Sequence, residues 1–208
     1  MKRRELIRGG LGALGVGMLA GPMAFAQSAQ VDTSRVEEMV MGNADAPVTV
    51  IEYGSFTCPH CANFHTGPFQ QLKANYIETG KVRFIYREVY FDRVGLWAGM
   101  VARCGGADSY FDISDRIYVQ QSSWAAGGSA NEILSNLARI GMDAGLSEEQ
   151  IGACLNDGEM AEALVAVFQK NAAADGIRST PSFVIDGELH SNMSYAAFAD
   201  ILDAKLGI

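Results

Sequence analysis

Two cysteines separated by two residues, in the tetrapeptide Cys58-Pro59-His60-Cys61, constrain this chain more than any other feature. A β-branched run at residues 48–51 precedes them and predicts a strand. After them, apolar residues recur at helical spacing as far as Gly80, and a second strand-type run follows at residues 82–86. The order predicts a strand, a helix and a strand, with the cysteine pair at the start of the helix.

This position favours sulfur chemistry, because the reactive form of a cysteine is the thiolate. At the start of a helix, Cys58 would face unpaired backbone N–H groups and the positive end of the helix dipole, which both stabilise a thiolate. His60 can add a cation or a hydrogen-bond donor, and Pro59 fits the first turn because its missing N–H costs little there. Cys61, one turn further on, is placed to form a disulfide with Cys58. Stabilising the thiolate favours the reduced pair, so the disulfide becomes a stronger oxidant.

The first 26 residues have the pattern of an export signal peptide. Basic residues precede an uncharged apolar stretch at residues 9–21, and Ala24-Phe25-Ala26 supplies small residues for cleavage near Ala26. The stretch is shorter than the roughly 20 residues that a spanning helix needs. We therefore expect an exported protein without a permanent membrane anchor. The pair Arg3-Arg4 permits the twin-arginine export route as well as the general secretory route.

Acidic residues outnumber basic ones by 24 to 16, and the export signal itself contains four of the basic residues. The mature chain is therefore strongly acidic. This charge disfavours a nucleic-acid partner, because binding to phosphates needs clustered Lys and Arg side chains. Hydrophobic residues make up 49% of the chain, which is enough for a globular core.

The other two cysteines are Cys104 and Cys154, and neither belongs to a CxxC pattern. Cysteine pairs of exported proteins usually form disulfides, so we expect a structural disulfide between these two. Two buried free thiols and a second redox pair remain open alternatives. A zinc site of four thiolates is disfavoured because the chain has only one CxxC, and we expect no metal ion.

From about residue 92 to residue 175 the pattern is helical. Residues 129–132 and 147–150 both have the sequence of a capping box, in which a serine and an acid or amide three residues later bind the exposed N–H groups of a helix start. Strand-type residues return at 182–185, and Asp186-Gly187 predicts a two-residue turn into another strand. A last amphipathic helix completes the chain.

These motifs and their order resemble the DsbA-like thiol:disulfide oxidoreductases, which have a thioredoxin fold with an inserted helical domain. The resemblance rests on the CPHC tetrapeptide after a strand, on Thr180-Pro181 before the third strand and on the order of the elements, and it spans residues 41–208. It implies an α/β fold in which helices flank a mixed central sheet. Residues 27–91 and 176–208 would form the thioredoxin-fold domain, and residues 92–175 the inserted all-helical domain.

The resemblance also implies roles for residues outside the tetrapeptide. Pro181 would be a cis proline facing the cysteine pair, with an ordinary trans proline as the alternative, and the Thr180 backbone would pair with a client peptide. Glu52 matches a buried acid that transfers protons to the inner cysteine; an exposed position at a strand edge is its alternative. Thr180 departs from the best-known strong oxidants, which have Val there, and matches several isomerases. His65 occupies a position where some relatives have an acid. We expect it on a surface face, with a tuning role left open.

Together these features predict a periplasmic oxidase of protein dithiols. The thiolate of a reduced exported client would attack Cys58 and expel Cys61, and a second client thiol would resolve the mixed disulfide. The resemblance implies reoxidation by a quinone-linked membrane partner of the DsbB type, and it implies no bound cofactor. A disulfide isomerase or reductase of the same fold is the alternative function, and Thr180 supports it.

Oligomeric state bears on that alternative, because the dimeric isomerases carry a separate N-terminal dimerisation domain. Only residues 27–46 precede the first predicted strand here, so we expect a monomer. A small oligomerising helix at residues 34–40 remains open. A non-enzymatic binding module is a third hypothesis, and it would have no highly reactive Cys58.

Overall fold

A computed structural model describes residues 31–208 of the chain. The predicted export signal at residues 1–26 lies outside this range. None of the helices within it is both long enough and apolar enough to cross a membrane.

The described residues form five strands and nine α-helices. The strands are β1 (Met39–Met41), β2 (Val48–Gly54), β3 (Val82–Glu88), β4 (Ser182–Ile185) and β5 (Glu188–Ser191). The helices are α1 (Pro59–Thr66), α2 (Pro68–Leu72), α3 (Arg93–Arg103), α4 (Gly106–Val119), α5 (Gln121–Trp124), α6 (Ala130–Asp143), α7 (Glu148–Leu155), α8 (Gly158–Ala174) and α9 (Tyr195–Leu206), and a π-helical turn, Lys73–Ile77, continues α2. Helices α3 to α8 all lie between β3 and β4, and they correspond to the inserted domain that we propose for residues 92–175.

Strand β2 lies at the centre of a mixed sheet with the strand order β1-β3-β2-β4-β5. It pairs in parallel with β3, so that Val50 lies opposite Phe84, and antiparallel with β4, so that Val50 also lies opposite Ile185. β1 and β5 add antiparallel strands at the two edges. The predicted α/β fold, with helices flanking a mixed central sheet, is confirmed.

The two faces of β2 point into different clusters of side chains, because side chains alternate across a strand. Val48 and Val50 belong to the main core, together with residues of α1, α2, α4 and α9. Tyr53 points to the opposite face, where it packs in a smaller cluster with Phe168 of α8. Glu52 shares its face of the strand with Val48 and Val50, so its carboxyl enters the main core on the side of α1.

The single helix predicted between the cysteine pair and Gly80 is interrupted after its second turn. α1 ends at Thr66 and α2 begins at Pro68. Pro68 has no N–H to continue the helix, and its ring disfavours helical geometry at Gly67, whose φ and ψ are −130° and −93°. The cysteine pair therefore lies at the start of a short helix of eight residues.

Several local sequence signals are confirmed. The capping boxes of Ser129 with Glu132 and of Ser147 with Gln150 are both complete, at the starts of α6 and α7. Asp186 and Gly187 both have positive φ, 47° and 85°, as the tight turn between β4 and β5 requires. These signals are reliable because each depends on residues within a few positions of one another.

The short strand β1 was not predicted. Its Met41 lies opposite Phe84 of β3, and residues 39–41 are extended. The hypothesis of a small oligomerising helix at residues 34–40 is therefore wrong. Three apolar residues have no periodicity that distinguishes a strand from a helix. Residues 39–41 form a strand because the free edge of β3 supplies the hydrogen bonds that an extended segment needs.

A buried ion pair joins the end of β3 to α3. The Arg103 guanidinium donates to both carboxylate oxygens of Glu88, at 2.6 and 2.7 Å, and Tyr110 of α4 donates a third hydrogen bond to the same carboxylate. The next residue, Cys104, is disulfide-bonded to Cys154 of α7, with their Cα atoms 5.8 Å apart. The ion pair and the disulfide thus connect the sheet to the helices that follow it.

We predict that Arg103→Met lowers the free energy of unfolding by about 3–5 kcal/mol, because it leaves the buried Glu88 carboxylate without its counter-charge. Urea unfolding followed by circular dichroism measures the change. Arg116→Met is the matched control: Arg116 pairs with Asp112 one turn away on the surface of α4, so its loss costs less than about 0.5 kcal/mol. Equal losses in the two variants would contradict the structural role of the Arg103–Glu88 pair.

Candidate active site

The chain passes from β2 to α1 through a loop that Gln121 holds in place. The Gln121 side-chain amide donates hydrogen bonds to the carbonyl oxygens of Phe56 and Cys58, at 2.8 and 3.0 Å. Cys58 is the residue before the first turn of α1, with extended backbone (φ −86°, ψ 118°), and Pro59 takes the first helical position. This geometry places the Cys58 side chain at the positive end of the helix.

Cys58 is partly exposed, and its surroundings favour the thiolate. A hydrogen bond from the Cys61 thiol is the largest cause, and the Thr180 side chain and the backbone N–H groups of Cys61 and His60 act in the same direction. They lower the pKa of Cys58 to about 5, against the opposing effect of burial. The Cys58 sulfur also lies 3.5 Å from the Thr180 carbonyl oxygen. At neutral pH, Cys58 is therefore a thiolate that another sulfur can reach.

Cys61 has the opposite environment. Its side chain is 0% exposed, and the Ser55 backbone N–H donates a hydrogen bond to its sulfur at 3.4 Å. The hydrogen bond that it donates to Cys58 raises the pKa of Cys61 most, and burial and the negative charge of Glu52 raise it further. Cys61 therefore keeps its proton under conditions in which Cys58 has lost its own.

Glu52 and His65 form a buried pair close to Cys61. Glu52 is 0% exposed and His65 is 3% exposed. Nε2 of His65 lies 3.1 Å from Oε1 and 3.0 Å from Oε2 of Glu52. The surface position expected for His65 is therefore wrong. His65 follows Cys61 by four residues, so α1 turns both side chains to the same face, and that face packs against the sheet and α4.

Thr180 and Pro181 lie on the other side of the cysteine pair. The peptide bond between them is cis, and Pro181 is buried. Pro181 directly precedes β4, whose Phe183 lies opposite Glu52 in the antiparallel pairing with β2. This pairing explains why residues more than 120 positions apart in sequence meet at Cys58.

Most of the residues that the sequence analysis singled out lie together at the start of α1, and two lie elsewhere. The residues that lie together are Glu52, Cys58, Pro59, His60, Cys61, Thr180 and Pro181. His60 is exposed, and it favours the Cys58 thiolate through its backbone N–H. Cys104 and Cys154 are bonded to each other between α3 and α7. Within residues 31–208, no three His, Cys, Asp or Glu side chains are arranged to hold a metal ion.

Sequence reasoning missed several residues of the site, namely Gln121, Tyr86 and Tyr118. The hydroxyl groups of Tyr86 and Tyr118 bind each other in the core beside Glu52 and Cys61. None of the three belongs to a local motif, because they reach the site from three other elements: Tyr86 from β3, Tyr118 from α4 and Gln121 from α5. The position of His65 could have been inferred from the sequence, because its spacing of four residues from Cys61 places both side chains on the same helix face.

A family model described as thioredoxin matches residues 34–204. A curated protein of Rickettsia bellii, named as a protein-disulfide oxidoreductase, is 33% identical to this chain over 177 residues, which are 84% of this chain and 67% of that protein. A second protein with this name, from Rickettsia conorii, is 35% identical over 170 residues, which are 81% of this chain and 60% of that protein. This chain thus spans only about two thirds of the length of these relatives.

Solved structures give a consistent result. The crystal structure of alpha-DsbA1 from Wolbachia pipientis is similar, with a TM-score of 0.75 and 28% sequence identity. The match covers 82% of this chain and 92% of that chain. The comparison of sequences and the comparison of structures therefore indicate the same family of proteins.

We predict that iodoacetamide alkylates Cys58 of the reduced, folded protein with a pH midpoint of about 5, because only the thiolate reacts and its pKa is lowered to about 5. Mass spectrometry after timed reaction between about pH 4 and 8 gives the profile, and Cys61 stays unmodified because it is buried and protonated. The urea-unfolded protein is the control, in which both cysteines return to the ordinary thiol midpoint of about 8.5. A midpoint above pH 7 in the folded protein would contradict the stabilisation of the Cys58 thiolate.

Proposed function

Because this chain belongs to the thioredoxin family and is a DsbA-like thiol:disulfide oxidoreductase, we propose that it donates the Cys58–Cys61 disulfide to reduced client proteins exported to the periplasm. The observation that carries this proposal is the contrast between the two sulfurs, in which the pKa of Cys58 is lowered and that of Cys61 is raised. The reduced enzyme gains the stabilisation of the Cys58 thiolate, and the disulfide does not. Such a pair gives up its disulfide readily.

The proposed reaction consists of two thiol–disulfide exchanges. A client thiolate attacks the Cys58 sulfur, the Cys58–Cys61 bond breaks, and its electron pair leaves on Cys61, which takes up a proton. A second client thiolate then attacks the client sulfur of the mixed disulfide and releases Cys58 as a thiolate. Two electrons pass from the client to the enzyme. The low pKa of Cys58 favours its release, since thiols of low pKa leave faster.

Client binding would use the backbone beside the cysteine pair. We propose that an extended client segment pairs with the Thr180 backbone as an added strand, which is a common mode of peptide recognition. The 3.5 Å contact between the Thr180 carbonyl oxygen and the Cys58 sulfur supports this position, because a peptide bound there would have its own cysteine within reach of Cys58.

Turnover requires an oxidant, since each cycle leaves the enzyme as a dithiol. We propose that a quinone-linked membrane protein of the DsbB type accepts the two electrons. We also propose that the protein works as a monomer after removal of residues 1–26 near Ala26, by the general secretory or the twin-arginine route. No bound cofactor is needed, because the cysteine pair carries the electrons.

A disulfide isomerase or reductase is the second candidate function, and Thr180 is the observation that favours it. Thr180 contacts Cys58 directly, and it is the residue at which the chain departs from the strong oxidants that it resembles. An isomerase must attack wrong disulfides from the dithiol form, whereas an oxidase must arrive as the disulfide. The two functions therefore differ in the redox potential that they need.

We predict that the Cys58–Cys61 pair has a potential well above the about −270 mV of thioredoxin and nearer the about −120 mV of DsbA. Equilibration with glutathione buffers, followed by thiol trapping, measures it. In parallel, the oxidised protein should oxidise reduced ribonuclease in stoichiometric amounts and rescue scrambled ribonuclease poorly. Cys58→Ser is the inactive control, and Cys104→Ser/Cys154→Ser retains oxidation. A potential near that of thioredoxin, or strong rescue without dithiol oxidation, would refute the oxidase.

A further inference from the structure

The buried pair of Glu52 and His65 is a part of the site whose chemistry the proposed function does not explain. One ring nitrogen of His65, Nε2, faces both oxygens of the Glu52 carboxyl, at 3.1 and 3.0 Å. The other, Nδ1, is buried and has no hydrogen-bond partner within residues 31–208. A charge buried without a partner is costly, so the contact between these two side chains stabilises both of them in the core.

The surroundings of His65 hold its ring in one orientation. Tyr118 stacks on it, with ring centroids 4.2 Å apart and planes 14° from parallel. Phe69 lies 4.6 Å from the ring, and Tyr86 meets it edge-on at 5.6 Å. A side chain held in this way has little freedom to turn from Glu52. The pair is therefore preorganised.

Gly54 keeps the space between this pair and the end of β2 open. A Cβ atom at Gly54 would lie 2.6 Å from the Tyr86 hydroxyl and 3.0 Å from Oε1 of Glu52. Any side chain there would push into the group of polar atoms around Glu52. The absence of a side chain at this position lets Glu52 and Tyr86 approach the backbone that leads to Cys58.

We propose that His65 is a positioning residue for Glu52: it holds the carboxyl in place for the proton exchange with Cys61 that the resemblance implies for Glu52, and it stabilises that carboxyl while the exchange takes place. This inference rests on the proposed function only in that Cys61 must change its protonation state during each exchange. Glu52 is the group that exchanges the proton with the Cys61 sulfur. His65 orients the Glu52 carboxyl through Nε2, and as an imidazolium it balances the carboxylate charge.

The proton balance is simplest for the closing of a mixed disulfide on Cys58. The Cys61 thiol gives its proton to Glu52, and its sulfur attacks the Cys58 sulfur. The Cys58–Cys61 bond forms, the bond from Cys58 to the external sulfur breaks, and its electron pair leaves with that sulfur as a thiolate. The proton stays on the Glu52–His65 pair until it returns to solvent or to Cys61 in the reverse step.

Other titratable groups that face His65 are few. Tyr86 of β3 and Tyr118 of α4 have strongly raised pKa values because they are buried, so they stay neutral. Asp115 of α4 is close enough for its charge to interact with that of His65, and Lys73 interacts with Asp115 in turn. From α2, the Gln70 amide donates a hydrogen bond to the His65 carbonyl oxygen. Glu52 is thus the one acid in hydrogen-bond contact with the imidazole among the described residues.

Ellman's reagent tests the proposal, because it reports on the two sulfurs in sequence. The Cys58 thiolate of the reduced protein attacks the reagent and releases one thionitrobenzoate, and Cys61 then attacks the mixed disulfide and releases a second. We expect His65→Gln, whose amide can bind Glu52 but cannot ionise, to slow the second phase about tenfold, a part of the usual effect of acid–base catalysis. The second phase should also lose part of its pH dependence, because the variant removes an ionisable side chain next to Glu52. The first phase should keep its rate and its pH midpoint.

Four further variants make the result decisive. His190→Gln changes the same residue type on β5 and leaves both phases unchanged. His65→Phe keeps the ring packing without polar atoms and should slow the second phase as His65→Gln does. Glu52→Gln slows it more, and Glu52→Gln/His65→Gln equals Glu52→Gln within about twofold, because His65 acts through Glu52.

Three outcomes would overturn the inference. The first is an unchanged second phase and pH profile in both His65 variants, and the second is a double variant whose defect is the product of the two single defects. The third is a slowing of both phases, which is the result expected if His65 has a structural role alone. The test needs no client protein, so it is independent of the proposed oxidase function. If the protein fails to oxidise ribonuclease but the His65 variants slow the second phase as expected, the oxidase is refuted and this inference stands.

Discussion

Two sulfur atoms one helical turn apart meet opposite environments, and the chemistry of this protein depends on that difference. Cys58 ends the loop before α1, where backbone N–H groups and the Cys61 thiol stabilise its anion. Cys61 lies inside the core, where burial and Glu52 keep its proton in place. A disulfide between two such sulfurs is readily transferred, because the reduced pair gains the stabilisation of the Cys58 thiolate and the disulfide does not.

The fold produces the difference between the Cys58 and Cys61 environments, because it determines which residues lie on each side of α1. Strand β2 brings Glu52 to the buried side, and its antiparallel partner β4 brings Thr180 and Pro181 to the exposed side. Gln121, from the helices between β3 and β4, binds the loop carbonyl groups and so fixes the start of α1. The central sheet and the helical block therefore both contribute directly to the geometry at Cys58.

Much of this could be predicted from the sequence, because the decisive signals are local. The cysteine pair after a β-branched run, the two capping boxes and the Asp186-Gly187 turn each depend on a few neighbouring residues. The burial of His65 was not predicted, since it depends on Tyr118 and Tyr86, which reach it from α4 and β3. β1 was missed for the same reason, because three residues become a strand only when the edge of β3 is available. The alternation of side chains on β2 indicates the burial of Glu52, but its partner lies on another element.

The pH dependence of the redox potential tests the central claim most directly. If the pKa of Cys58 is about 5 and Cys61 keeps its proton, reduction takes up two protons below pH 5 and one above it. The potential on the hydrogen-electrode scale, obtained from glutathione equilibria corrected for the pH dependence of glutathione itself, should then fall by about 60 mV per pH unit below pH 5 and by about 30 mV per unit from pH 5 to 8. A slope of about 60 mV per unit throughout would mean that both thiols stay protonated, and it would contradict the account.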